Sequence, residues 1–111
     1  MNLSIIIPCL NEVETISQCI KKCFLSIQKM GIEAEVIIAD NGSSDGSIKI
    51  AQKLGAKVIN VEQKGYGSAI IGGIKKARGK YIIMGDCDDS YDFLEIEKFY
   101  NKLIKGFVDF Q

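Results

Sequence analysis

The chain has 111 residues, 47% of them hydrophobic and 25% charged, which suits one folded domain and excludes a disordered tail. Fourteen basic residues offset fourteen acidic ones, so no overall field draws nucleic acid or an anionic membrane to the chain, and any acidic chemistry must be local. Four cysteines without a C-x-x-C pair, and no histidine, argue against zinc and against a disulfide framework; reduced thiols and a cytoplasmic setting are expected.

The opening MNLSIIIPCL lacks a basic start, and Pro8 breaks its apolar run, so it does not read as a signal peptide. No stretch approaches the roughly 20 apolar residues of a membrane helix. The run LSIII (3–7) is the first of four short segments rich in Ile and Val; EVIIA (35–39), KVINV (57–61) and KYIIM (80–84) follow. Largely unalternated runs of this kind mark strands covered on both faces.

Between the runs the period is helical. In the first helix Val13, Ile16, Ile20, Cys23, Phe24, Ile27 and Met30 share a face, Asn11 with Glu14 forms a capping box, and Gly31 stops it. The second is expected over about 45–54, with Ile48, Ala51 and Leu54 inward and Gly55 as the stop. The third spans about 68–78 and ends at Gly79. The fourth starts at Asp92, boxed with Glu95, and carries Ile96, Phe99, Tyr100, Leu103 and Ile104 to Gly106. FVDFQ (107–111) reads as the start of another strand. Strands alternating with helices imply right-handed crossovers and a doubly wound, mainly parallel α/β sheet with helices on both faces, here incomplete at its C-terminal end.

In such sheets ligands bind beyond the carboxyl ends of the strands. The unusual residues all fall there: PCLNE (8–12), DNGSSDGS (40–47), EQKGYGSA (62–69) and GDCDDSYDF (85–93). Asn41 to Asp45 read as a turn into a helix, whereas Asp40, at a strand's end, is placed to accept hydrogen bonds from a base or ribose. KGYGSA offers Lys64, Gly67 and a helix N-terminus to a phosphate, with chain geometry as the equal alternative for its glycines. In the D-x-D of Asp86 and Asp88, residues two apart on an extended segment face one point. Hard oxygen ligands of that kind suit Mg²⁺ or Mn²⁺, which also take oxygens from a diphosphate. Asp92 reads as a cap.

Taken together, SIIIPCLNE, IIADNGSSDGS and GYGSAIIGGIKKARGKYIIMGDCDDSYDF resemble the family 2 glycosyltransferases. This GT-A-fold (Rossmann-like) group includes dolichyl-phosphate mannose and glucose synthase-like enzymes. The resemblance covers essentially the whole chain and implies a nucleotide-sugar (UDP- or GDP-sugar) donor site. It places Pro8, Leu10 and Glu12 at the nucleoside and Asp40 at the base. It places Asp86 by the ribose and metal, the Cys87 backbone on the nucleotide, and Asp88, with Ser90, on the ion. Cys87 stands where relatives often carry alanine, and Ser90 where some carry glutamine or an acid. It further implies inverting transfer to a polyprenyl (dolichyl) phosphate or glycan acceptor.

The catalytic base, the acceptor pocket and any membrane-associated part belong to the C-terminal half in that family. Residues 1–111 are therefore read as the donor-binding part of a protein at home in the cytoplasm or at the cytoplasmic face of a membrane, inactive by itself. A nucleotide-binding remnant without transfer is the alternative. A receiver-like domain fits poorly, because it needs acids after the first strand and a phosphorylated Asp after the third. A nucleotidyltransferase would place a Gly-rich basic loop where PCLNE stands.

Overall fold

The computed structural model describes residues 1–86 and 95–106. The elements run β1 (Leu3–Cys9), α1 (Ile16–Met30), β2 (Ala34–Asp40), α2 (Ser47–Lys53), β3 (Lys57–Asn60), α3 (Tyr66–Lys76), β4 (Tyr81–Met84) and α4 (Ile96–Ile104). The four strands form one sheet in the order β3-β2-β1-β4, every pair parallel. The alternating strand-helix reading is thus correct in order and direction. The further strand expected at 107–111 and the cap at Asp92 lie outside the described residues.

Successive strand residues face opposite sides of the sheet, and both sides are apolar. Leu3, Ile5, Ile7 and Cys9 of β1, with Val36 and Ile38 of β2, meet Ile16, Cys19, Ile20 and Cys23 of α1, Ala51 of α2, and Ile96 and Tyr100 of α4. The alternate residues Ile6, Ile37 and Ala39 meet Ala69 of α3 on the other side. This is why the strands show unbroken Ile/Val runs. Tyr100 also meets Tyr81 edge-on, with ring centroids 6.0 Å apart. At the amino ends of the strands, Ser4 Oγ donates to Glu35 Oε2 (2.6 Å) and accepts from the Gly79 amide (2.8 Å).

Three helix boundaries differ from expectation. α1 begins at Ile16, not after a capping box at Asn11, because the Asn11 side chain accepts the Ser44 amide (2.8 Å) instead of turning back on its own helix. A turn closed by the Thr15 and Ile16 amides on Glu12 O fills the interval, and it leaves Val13 exposed, not inward. α2 starts two residues late, since Asp45 Oδ1 accepts the Ser47 amide (3.0 Å) and shapes the approach to the helix. Ile50, together with Ala51 and Leu54, packs on the core in place of Ile48. α3 starts earlier and ends sooner than 68–78, at Tyr66 and Lys76.

Connections from β1 to β2 to β3 step outward in one direction, and α3 then carries the chain back across the opposite face to β4 on the far side of β1. The reversal lies between β1 and β4, where an open α/β sheet has its crevice. Pro8 sits at this point. The Ile6 carbonyl accepts from the Gly85 amide on the β4 side, so Pro8, two residues on, turns its missing N–H the same way, past the last β1–β4 pair at Ile6 and Met84. Proline is tolerated in a central strand here because the ladder has ended.

Candidate functional site

The crevice is a cleft of about 380 Å³ at the carboxyl edge of the sheet, within the size range of small-molecule sites. β1 and its following loop supply Pro8, Cys9, Leu10 and Glu12. Asn41 comes from the end of β2, and Asp86 from just beyond β4. Lys64 and Gly65 come from the loop after β3, and Tyr66 and Ala69 from the first turns of α3. Leu10 and Tyr66 are exposed at 52% and 59%, so apolar surface faces an incoming ligand. Glu12 and Asp86 set two carboxylates against the single ammonium of Lys64.

The loop after β2 holds the loop after β1 in place. The Asn11 amide donates to Ser43 Oγ (2.9 Å), the Glu12 amide to Ser47 Oγ (3.1 Å), and the Val13 amide to Asp45 Oδ2 (3.0 Å). Asn11 adopts φ 53°, the one non-glycine residue with positive φ among those described, and its side chain returns the contact through the Ser44 amide. Behind them, Asp40 accepts the Gly42 (3.0 Å) and Ser43 (2.9 Å) amides on Oδ2 and the Ser43 hydroxyl on Oδ1 (2.5 Å). The Ser47 hydroxyl also donates to Asp45 Oδ1 in a very short contact. That hydroxyl is the main reason the Asp45 carboxyl titrates below its ordinary range. Burial, by contrast, raises the Cys9 thiol above its usual value.

Of the residues selected from sequence, Pro8, Leu10, Glu12, Lys64 and Asp86 line this cleft together. Asp40 does not line it. Its carboxylate is 1% exposed and engaged by its own loop. Gly67 stands between the lining residues Tyr66 and Ala69, in the first turn of α3, and does not itself line the cleft. Cys87, Asp88 and Ser90 lie outside the described residues. Sequence reasoning passed over Asn41, read as a turn residue, and Tyr66, whose signal was an aromatic side chain at the opening of a Gly-rich helix start. Gly42 has φ 108°, and a Cβ there would sit 2.5 Å from Lys64 Nζ, so this glycine both permits the turn and leaves room for the lysine.

A divalent ion suits the donor set. Two carboxylates facing one ammonium leave the lining acidic, and carboxylate oxygens are the hard donors that such an ion takes. Among the described residues no three His, Cys, Asp or Glu side chains converge as a ready-made metal site.

A family model for glycosyl transferase family 2 matches residues 4–110. The low-salt glycan biosynthesis hexosyltransferase Agl6 of Haloferax volcanii is 42% identical over 107 residues, 96% of this chain and 26% of that protein. The undecaprenyl-phosphate 4-deoxy-4-formamido-L-arabinose transferase of Edwardsiella ictaluri is 34% identical over 93 residues, 78% of this chain and 29% of that one. Among solved structures, glucosyl-3-phosphoglycerate synthase of Mycobacterium tuberculosis, in complex with Mn²⁺, UDP and glucosyl-3-phosphoglycerate, superposes with a TM-score of 0.78. It is 26% identical, over 95% of this chain and 40% of that one. The chain therefore spans between a quarter and two fifths of the length of these three proteins.

Proposed function

Because the chain belongs to glycosyl transferase family 2, we propose that it forms the donor-binding part of a hexosyltransferase that takes a UDP- or GDP-sugar. The observation that carries this reading is the convergence of Pro8, Leu10, Glu12, Lys64 and Asp86 on one cleft at the reversal of the sheet. The base and ribose lie against Pro8 and Leu10, with Glu12 as hydrogen-bond acceptor. Lys64 and the N-terminus of α3 face the diphosphate. Asp86 and Asp88 would hold the divalent ion, assisted by Ser90, and the Cys87 main chain would contact the nucleotide. The Mn²⁺ and UDP of the mycobacterial synthase support a metal-dependent donor site.

In the transfer an acceptor oxygen attacks the anomeric carbon from the face opposite the diphosphate. The bond to the leaving oxygen breaks, and its electron pair departs with the nucleoside diphosphate, so configuration inverts. When bound, the ion acts as a Lewis acid on that leaving group. Lys64 adds charge stabilisation. The acceptor is a polyprenyl phosphate or a glycan; the Edwardsiella relative, an undecaprenyl-phosphate transferase by name, supports the former. A phosphate acceptor needs no general base, whereas a glycan hydroxyl would pass its proton to a carboxylate from elsewhere in the protein, a role assigned to no residue of this chain. The full protein works in the cytoplasm or at the cytoplasmic face of a membrane; among the described residues no helix is long and apolar enough to cross one.

Calorimetric titration of UDP, GDP and their sugar conjugates, with and without Mn²⁺, tests the proposal beside Asp88→Ala. Metal-dependent binding of one nucleotide, lost in the variant, is the expected result. A folded chain that binds neither nucleotide at millimolar concentration would refute it. Transfer assays on this chain and on a longer parent separate donor binding from turnover, which we expect only in the parent.

A further inference from the structure

The structure assigns Asn41 a role beyond lining the cleft: it is a positioning residue that clamps the loop after β3 into place as one wall of the cleft, an inference that rests on the donor-site reading above. Its side chain is 7% exposed, and every donor it has is committed. Nδ2 donates to Val61 O (2.9 Å) and to Gln63 O (3.0 Å), and Oδ1 accepts the Gly65 amide (3.0 Å). The Asn41 amide donates to Cys9 O (2.9 Å), and its carbonyl accepts from Lys64 Nζ. One residue therefore joins the end of β1 to three main-chain groups around Lys64.

The loop it holds is open to solvent. Residues 62–67 are exposed, and within them the Gly65 carbonyl starts α3 by accepting the Ala69 amide (3.0 Å). An exposed, glycine-containing loop loses substantial backbone entropy on being fixed, about 1–2 kcal/mol per residue. Three side-chain bonds from one buried amide offset part of that cost and set where Lys64 and Tyr66 stand. No other residue type does the same work: aspartate has no donor for the two carbonyls, and a glutamine is one methylene too long for the 2.9–3.0 Å geometry. Asn41 thus governs how tightly a diphosphate is held without needing to touch it.

Two readouts test this on the whole chain. The first is amide hydrogen exchange without nucleotide. In the wild-type chain the Gly65 amide, on an exposed residue, is expected to exchange at least about tenfold slower than an unstructured peptide. In Asn41→Ala it reaches the unprotected rate while the α1 amides of Ile20 and Cys23 keep theirs. The second is titration with UDP and GDP in the presence of Mn²⁺. Whichever nucleotide the wild type binds is expected to bind about tenfold more weakly to Asn41→Ala, and this loss should shrink to about twofold or less in a Lys64→Ala background, since contacts that act through one loop are not additive.

Free exchange of Gly65 in the wild type would overturn the clamp, as would unchanged exchange in the variant. A full tenfold loss persisting without Lys64 would overturn it in favour of direct contact by Asn41. Should Asn41→Ala fail to fold, the wild-type exchange rate of Gly65 still decides. If the wild type binds neither nucleotide, the donor-site reading fails by itself, and Gly65 exchange alone then upholds or overturns the clamp.

Discussion

Replacing Asp40 separates two roles for that carboxylate, an organiser of its own loop or a direct contact to the nucleobase. The side chain is 1% exposed and accepts three hydrogen bonds, from the amides of Gly42 and Ser43 and from the Ser43 hydroxyl. A bond to a charged group contributes about 1.5–3 kcal/mol, and an unsatisfied buried donor costs about 1–3 kcal/mol. Gly42 is exposed, so water can replace the carboxylate at its amide. Asp40→Ala should therefore cost roughly 3–4 kcal/mol, below the simple sum of the three bonds. Asp40→Asn keeps an oxygen for both amides and can donate to Ser43 Oγ, so it should cost only about 1 kcal/mol. For a domain of this size each kcal/mol moves the melting temperature by about 4–8 °C, which gives losses of at least about 12 °C for alanine and under about 8 °C for asparagine. Circular dichroism melts at neutral pH measure both, and calorimetry follows nucleotide affinity. The asparagine variant should bind within about threefold of the wild type, because Asp40 does not line the cleft. An alanine variant melting within about 2 °C of wild type would refute the loop argument. An asparagine variant of unchanged stability but tenfold weaker binding would restore Asp40 as a base contact.

Two glycines of α3 should respond oppositely to alanine. A Cβ at Gly73 would lie 2.5 Å from Ile6 Cγ2, so Gly73→Ala overpacks α3 on β1 and should lower stability by about 1–3 kcal/mol, whereas Gly67→Ala meets nothing within 4 Å and should gain up to about 1 kcal/mol of helix propensity. Equal effects in urea denaturation would contradict the packing. Gly42→Ala forces a side chain to φ 108° and toward Lys64 Nζ, at a cost of about 1–3 kcal/mol; nucleotide diphosphate affinity should fall while nucleoside affinity stays constant. The Asp45 carboxyl, held below its ordinary 3.8 by the Ser47 hydroxyl, contributes stability that is complete above that value and is lost as pH falls through its lower folded value. Protection of the Val13 amide should accordingly stay flat from about pH 8 to 5 and decline only below about 4, the decline disappearing in Asp45→Asn; loss beginning near pH 6 would implicate another group.

Much of the fold was legible because its cause is local. Unbroken Ile/Val runs come from strands whose alternate residues all meet helices, as Ile5 meets α1 and Ile6 meets α3, and their alternation with helical segments leaves one parallel architecture. Residues at strand ends could be assigned to a common edge for the same reason, and five of them do share the cleft. Helix starts were less legible. Asn11 carries the side chain of a cap yet bonds to the Ser44 amide of a neighbouring loop, while Asp45 takes the Ser47 amide locally and reaches Val13 with its other oxygen, and sequence spacing holds no information about which long-range partner will engage a capping side chain. The same limit hid Asn41. Its neighbour Asp40 has the more conspicuous charge, but only the parallel pairing of β1, β2 and β3 brings Val61, Gln63 and Gly65 around the Asn41 amide, 20 to 24 residues along the chain. Sequence by itself determined which residues gather at the ligand-facing edge, because strand direction fixes the edge. The tertiary structure alone decided which of them face the cleft and which bind the loops that form it, because that choice depends on hydrogen-bond geometry between segments distant in the chain.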